Sequence, residues 1–313
     1  MIGFLISKPF VADFLRHFVL CLIPANRQKS RLCGWAKIAS LLVVLLCAVT
    51  VVTHASTPAP TANPARKQPS AVTDEIRFVR LQTPRLSEHR FSHVNTLAQD
   101  TKGFLWVGTA NGLLRYDGLR AKLYRNEATN PGSLSANYVR RIAIDNEQTM
   151  WVASEFGLNQ YDTDTDSFVR WMHQPGKPHS IGNNFVKWVG VSRNNEILVG
   201  TGKGFDIIST DRTTVEHYEH NPESANGLSH NYVSVILEDK NGNLWIGTEG
   251  GGLNFLNRAS GMFSRYSASS PPPYTVAGNH ITGLMEDQFG RIWVATLGDG
   301  ISRIESNGEI KHF

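Results

Sequence analysis

Beyond Cys47 the chain contains no cysteine; its three, Cys21, Cys33 and Cys47, all lie in the first 55 residues. The rest of the chain therefore has no disulfide framework, CxxC zinc site or thiol nucleophile. It also lacks a charge imbalance. Residues 1–75 carry eight Lys/Arg and three acids, net +5, whereas the remainder carries 23 basic and 24 acidic side chains, net −1. The pI near 9.0 belongs to the leader, and without a basic stripe on the folded part nucleic acid is discounted as a partner. No 3.6-residue apolar period runs through residues 76–313, which excludes helical repeats. The apolar run Ile38–Val52 has 15 residues, short of the roughly 20 of a spanning helix.

That run follows Arg27, Lys29, Arg31 and Lys37 and precedes Thr53-His54-Ala55, with small residues at −3 and −1 of a cut after Ala55. This is the order of a secretory signal, or of a signal-anchor if the flanks lengthen it. Either way the positive flank predicts a cytoplasmic N-terminus and an exported remainder, periplasmic and either anchored in the inner membrane or released by cleavage. Residues 56–75 are rich in Pro, Ala, Ser and Thr and read as a flexible tether.

What is present is a repeat. From Ser92 onward one pattern recurs five times, its tryptophan step falling at Trp106, Trp151, Leu198, Trp245 and Trp293, spaced 45 to 48 residues apart. Each copy has an alternating apolar segment such as Val233–Leu237, an Asp-x-x-Gly turn such as Asp239–Gly242, and a strand such as Leu244–Thr248. Asp bonds its own backbone two residues on and Gly supplies positive φ, so the turn has a mechanism. A second turn carries Gly112, Gly157, Gly204, Gly252 or Gly300, then a third strand follows, then a more polar fourth such as Phe263–Tyr266. Four short antiparallel strands per ~45 residues make a β-propeller blade. The fold class is all-β, with blades near 92–124, 137–171, 184–218, 231–266 and 279–313. The large flat Trp suits the wedge between neighbouring blades, and Leu198 predicts a weaker contact in the third.

The Asn-x-Val start, Glu238-Asp239-x-x-Gly242-x-Leu244-Trp245-Ile246-Gly247-Thr248, the Gly250–Leu253 turn and the connector Pro131-Gly-Ser-Leu-Ser135 closely resemble the two-component regulator propeller repeat. The resemblance covers roughly 76–313. It implies an exported sensory region of a membrane-bound signalling protein, whose later parts would include a histidine kinase or diguanylate cyclase. Strand counting adds an expectation. Five inner three-strand sets stand against six outer strands, because Ile76–Leu81 precedes the first set. A surplus outer strand closes many propellers, so the chain reads as an incomplete six- or seven-bladed ring, a truncated sensor without its output domain. A five-bladed ring with a spare strand is the alternative. An open ring would expose an apolar blade edge for self-association.

Fourteen positions before the Trp step stand Asn137, Asn184, Asn231 and Asn279, with Ser92 in the first copy. They fall where one blade hands over to the next, on the side of the turn after each Gly-Thr. Together with His93, Glu155, Lys203, Glu249, His230 and His280 they could ring a central funnel that takes a small polar ligand, a carbohydrate or peptide. The competing and preferred reading is that each Asn fixes its loop by bonding backbone. His217 and His220 read as solvated surface, and Asp117, Asp162, Asp164 and Asp166 as turn residues, since YDTDTDSF lacks the glycine and terminal Glu of an EF-hand. No Gly-x-Ser-x-Gly elbow and no metal-ligand spacing occurs. No catalytic residue, metal or cofactor is expected. The alternatives to a sensor are a lyase- or glycosidase-like propeller enzyme and a protein-interaction scaffold.

Overall fold

The computed structural model describes residues 93–224 and 226–313. The leader, the tether, the segment Ile76–Leu81 and Ser92 lie outside the described residues. Twenty strands form five four-stranded antiparallel sheets, each with its strands in sequence order. The first comprises β1 (Val94–Gln99), β2 (Leu105–Thr109), β3 (Gly112–Tyr116) and β4 (Ala121–Tyr124). The second comprises β5 (Val139–Ile144), β6 (Met150–Ser154), β7 (Gly157–Asp162) and β8 (Ser167–Trp171). The third has β9 (Val186–Val191), β10 (Ile197–Thr201), β11 (Gly204–Ile208) and β12 (Val215–Tyr218). The fourth has β13 (Val233–Glu238), β14 (Leu244–Thr248), β15 (Leu253–Asn257) and β16 (Met262–Tyr266), and the fifth β17 (Ile281–Glu286), β18 (Ile292–Thr296), β19 (Ile301–Ile304) and β20 (Ile310–His312). The first strands β1, β5, β9, β13 and β17 lie side by side in chain order. This is an all-β propeller fold in which each sheet is a blade.

Blades pack face to face, so second strands are apolar on both sides: every residue of β6, β10 and β14 is buried. Trp106 lies in a cluster with Val139, Ile142, Met150 and Tyr161 of the second blade, its ring 5.0 Å from that of Tyr161. Trp151 packs with Val186, Val189, Ile197 and Val199 of the third. Trp106 and Trp151 thus fill the wedge toward the blade that follows. Trp293 of the fifth is half-buried, stacked on Phe313 at 5.7 Å.

The indole also explains the Asp of the first turn. Asp100, Asp145, Asp239 and Asp287 each accept the Trp Nε1–H six residues on, at 2.8, 3.0, 3.1 and 2.9 Å. Their other carboxylate oxygen accepts turn amides, as Asp239 Oδ1 does from Asn241 and Asn243. In the third blade both partners change together: Leu198 offers no N–H, and Ser192 stands in place of Asp. The wedge is nevertheless full. Trp188 of β9 lays its ring over Gly190, the cross-strand partner of Leu198, where a Cβ at 190 would collide with the ring. Leu198 and Trp188 are 1 % and 7 % exposed. The expected weak contact is therefore corrected: an indole from the neighbouring strand fills the volume.

Two first turns lack the expected glycine. Gln148 and Asn195 take the left-handed position, at φ 67° and 63°, that Gly103, Gly242 and Gly290 occupy elsewhere. A glutamine there carries backbone strain. Gln148→Gly is expected to stabilise the domain by about 0.5–1 kcal/mol, visible as a raised denaturant midpoint at unchanged m.

Candidate functional site

The loop after the second strand is tied to the start of the inner strand in the same way in all five blades. The amide after each strand-two Thr or Ser donates to the residue preceding the first Val or Ile of the same blade's inner strand: Ala110 to His93 O, Glu155 to Tyr138 O, Gly202 to Phe185 O, Glu249 to Tyr232 O and Leu297 to His280 O. Thr109, Ser154, Thr201, Thr248 and Thr296 close the same turn by donating their hydroxyl to the following glycine's carbonyl. One end of each inner strand is thereby fixed beside the loop that follows the second strand.

The four asparagines belong to this frame. Asn137, Asn184, Asn231 and Asn279 accept, through Oδ1, the backbone N–H of Asn126, His173, His220 and Ala268 at 2.7–2.8 Å. Each pins the exit of a fourth strand to the start of the next blade. His93 is exposed, with its carbonyl in the turn bond above. Lys203 is half-exposed and pairs with Glu219 at 3.0 Å. Glu155, Glu249 and His280 are drawn into a different arrangement.

Two positions beside the inner strands differ from blade to blade. The residue before the first Val or Ile is Tyr138, Phe185, Tyr232 or His280, and the bulge residue after it is Arg140, Lys187, Ser234 or Thr282. Each cation reaches toward the following blade. The Arg140 guanidinium lies 4.8 Å from the Tyr138 ring and 4.9 Å from the Phe185 ring, and contacts Glu155 at 3.3 Å. Lys187 sits 5.8 Å from both the Phe185 and Tyr232 rings and pairs with Glu249, which also lies 3.8 Å from His280 Nε2. Tyr232 is 46 % exposed and lies 5.7 Å from the His230 ring. The result is an arc of aromatic faces alternating with cations across the second to fifth blades.

One residue further along, Arg141 of β5 stacks on Trp188 at 4.9 Å and donates Nε–H to Val189 O at 3.0 Å. Among the described residues it has no carboxylate partner. Burial brings its pKa down to about 10, which leaves it a cation at neutral pH. Sequence reasoning passed over Tyr138, Arg140, Arg141, Phe185, Lys187 and Trp188 because it looked for what recurs. The available signal was the reverse: aromatic and cationic residues at steps where a repeat is free to vary.

Two other polar clusters tie the scaffold. Asp166 accepts from Tyr124 (2.6 Å) and Tyr161 (2.5 Å), with Lys122 and Arg115 beside it. Partial burial opposes its ionisation, but hydrogen bonds from Lys122, Tyr124 and Tyr161 and the Arg115 charge prevail and hold it at about 2. It is more than a turn residue: it joins the first two blades. His217, expected as solvated surface, faces two acceptors: Nδ1 donates to buried Asp206 Oδ1 at 2.7 Å, and Nε2 lies 3.2 Å from Pro178 O. His220 Nδ1 likewise meets Leu228 O at 2.7 Å. Both imidazoles are drawn inward because the connector's carbonyls need partners; Arg170 and Arg265 serve Ser133, Leu134, Gly227 and Leu228 in the neighbouring blades.

The Asp206 hydrogen bond raises the His217 pKa above its ordinary value, against the opposing effect of burial. A raised folded-state value means the stabilisation is complete below the unfolded pKa, about 6.5, and is lost as pH rises through the folded pKa. Stability should therefore decline between about pH 6.5 and the folded pKa. His217→Gln should flatten that part of a plot of unfolding midpoint against pH; an unchanged slope would reject the assignment.

Sequence segments 90–111, 227–250 and 275–298 match the two component regulator propeller family. Among solved structures, the chain is similar to the extracellular domain assigned to hybrid two component system BT3049 from B. thetaiotaomicron, 26 % identical over 69 % of this chain and 29 % of that one, TM-score 0.61. It is also similar to the extracellular domain assigned to hybrid two component system BT4673 from the same organism, 25 % identical over 70 % and 31 %, TM-score 0.57. The chain thus spans about three-tenths of the length of those domains. Virginiamycin B lyase from Staphylococcus aureus shares the fold, 16 % identical over 70 % and 69 %, TM-score 0.51. No curated protein matches the sequence.

Proposed function

We propose that this repeat domain is an exported, non-catalytic sensory propeller, and that the arc of Tyr138, Arg140, Phe185, Lys187 and Tyr232 receives a small polar ligand whose binding is passed to a signalling output. The carrying observation is the contrast between frame and arc. The asparagine steps repeat and are consumed by backbone bonds, whereas the adjoining aromatic and cationic steps vary among the blades and present faces suited to a sugar ring or peptide group. The similarity to extracellular domains of two component systems supports the sensory role and the exported location. The His217–Asp206 pair offers no general base, since both ring nitrogens and both Asp206 oxygens already have structural partners, Asp206 Oδ2 accepting from Gly182 N at 2.8 Å.

A thermal-shift screen of sugars and short peptides on the full chain tests the reading. A ligand that raises the unfolding temperature should lose its effect in Phe185→Ala and Tyr232→Ala. Stabilisation that survives both substitutions would place binding elsewhere. The scaffold reading retains one specific support. Ile301 is 41 % exposed and Phe313 58 %, beside half-buried Trp293, whereas Leu113, Leu158 and Leu253 at the Ile301 step are fully buried. Stable oligomers in light scattering, with no ligand response, would favour it.

A further inference from the structure

Two donors on the inner strands β5 and β9 lack an acceptor, and a cation lies against one of them. Arg140 Nε and Trp188 Nε1 are buried with no hydrogen-bond partner, and the Arg141 guanidinium, stacked on Trp188, bonds only a backbone carbonyl through Nε. A buried N–H without an acceptor costs about 1–3 kcal/mol, so native structures rarely keep one without a reason. Here the orphans are Arg140 and the Trp188 indole, on neighbouring inner strands, with the Arg141 guanidinium stacked on that indole, and all three groups are donors. The arc around them holds three cations, Arg140, Arg141 and Lys187, against two carboxylates, Glu155 and Glu249, each already paired. The surplus charge is that of Arg141.

We propose that Arg140, Arg141 and Trp188 form an anion subsite of the ligand site, and that it reads the carboxylate of a small acidic ligand whose body lies on Phe185 and Tyr232. A planar guanidinium fork matches a carboxylate with two parallel bonds, and the indole N–H supplies a further donor to the same acceptor-rich group. Backing the guanidinium with an aromatic face, as Trp188 does for Arg141, holds the fork in one plane before the ligand arrives. Arg141 is only partly exposed, which strengthens its attraction to an anion relative to that of a fully exposed arginine. This inference rests on the proposed ligand site but specifies its chemistry.

The test uses the full chain and matched probes: glucuronate against glucose, benzoate against benzamide, and inorganic sulfate. Arginines are modified with phenylglyoxal and mapped by peptide mass spectrometry, alongside unfolding midpoints. Glucuronate or benzoate should slow modification of Arg141, while the neutral counterpart leaves it unchanged. Arg141→Gln should weaken carboxylate binding by roughly tenfold or more, Arg141→Lys should restore part of it, and Trp188→Phe, which keeps the packing but removes the N–H, should weaken it by a smaller factor. Arg193→Gln, exposed on a first turn, should change nothing. Protection by neither carboxylate, equal binding by Arg141→Gln, or equal protection by sulfate would overturn the carboxylate subsite. If glucose or benzamide binds as tightly as its acid and depends on Phe185 and Tyr232, the subsite fails while the sensory reading stands.

Discussion

Gly204→Ala should be among the most damaging single-methyl changes in the domain, costing on the order of 3 kcal/mol or more. Two independent effects meet at this residue. Its φ is +95°, a conformation that L side chains rarely adopt. Its Cβ would also fall inside the contact radius of the Tyr218 carbonyl oxygen, and that oxygen belongs to the paired fourth strand, so it cannot rotate away. The same residue donates its N–H to Asn231 O of the next blade at 2.6 Å, and its carbonyl accepts from Thr201 Oγ1. A shift that relieves the clash would therefore disturb the hand-over between the third and fourth blades. Gly242→Ala is the control. Its φ is +84°, but nothing lies closer to the Cβ position than Glu238 Oε1 at 4.0 Å, so only backbone strain remains and about 1 kcal/mol is expected. At roughly 2–4 °C per kcal/mol for a domain of this size, the two variants should differ by several degrees in unfolding midpoint. Equal midpoints would mean that the outer strand yields, and that the close approach at Gly204 is not a constraint.

The repeat period, the four strands of each blade and the wedge role of the tryptophans were legible because each recurs, and recurrence multiplies a weak local signal. The third strands begin at the second-turn glycines, β3 at Gly112, β7 at Gly157 and β11 at Gly204. What recurrence hides is compensation. Asp239 and Trp245 are six residues apart and joined by a hydrogen bond, yet in sequence they read as two separate features, a turn former and a core filler. The loss of the tryptophan at Leu198 in the third blade therefore read as a weakened wedge. The site suffered from the same bias. The repeated asparagines drew attention although their side chains are spent on the frame, while Arg141 and Trp188 each occur once at their step. Whether a lone arginine is solvated or stacked on an indole depends on which inner strand lies beside it, and that is decided by blade packing across 47 residues of sequence.

The strongest expectation about the core concerns that compensation. Trp188→Ala should destabilise the domain by about 3–5 kcal/mol, the range for deleting a buried aromatic. The side chain is 7 % exposed, belongs to the cluster joining the third and fourth blades, and carries Arg141 on its face. If its ring stands in for the missing tryptophan at 198, the loss should be recoverable by rebuilding the arrangement of the fourth blade. There the same four steps are Asp239, Val235, Leu237 and Trp245, the aspartate accepting the indole N–H at 3.1 Å. The combined variant Ser192→Asp, Trp188→Val, Gly190→Leu, Leu198→Trp should regain most of the stability that Trp188→Ala loses. Leu198→Trp alone should be worse than wild type, because the volume is already occupied and overpacking costs about 1–3 kcal/mol. The four positions are in contact, so their effects should be far from additive, and chemical denaturation of the single and combined variants measures the coupling directly. Additive losses, with no recovery in the combined variant, would show that Trp188 fills its own space and that Leu198 leaves a different one. The combined variant also separates stability from binding. Lacking the indole beneath Arg141, it should fold well and yet hold a carboxylate more weakly than wild type, a result that a purely structural role for Trp188 does not produce.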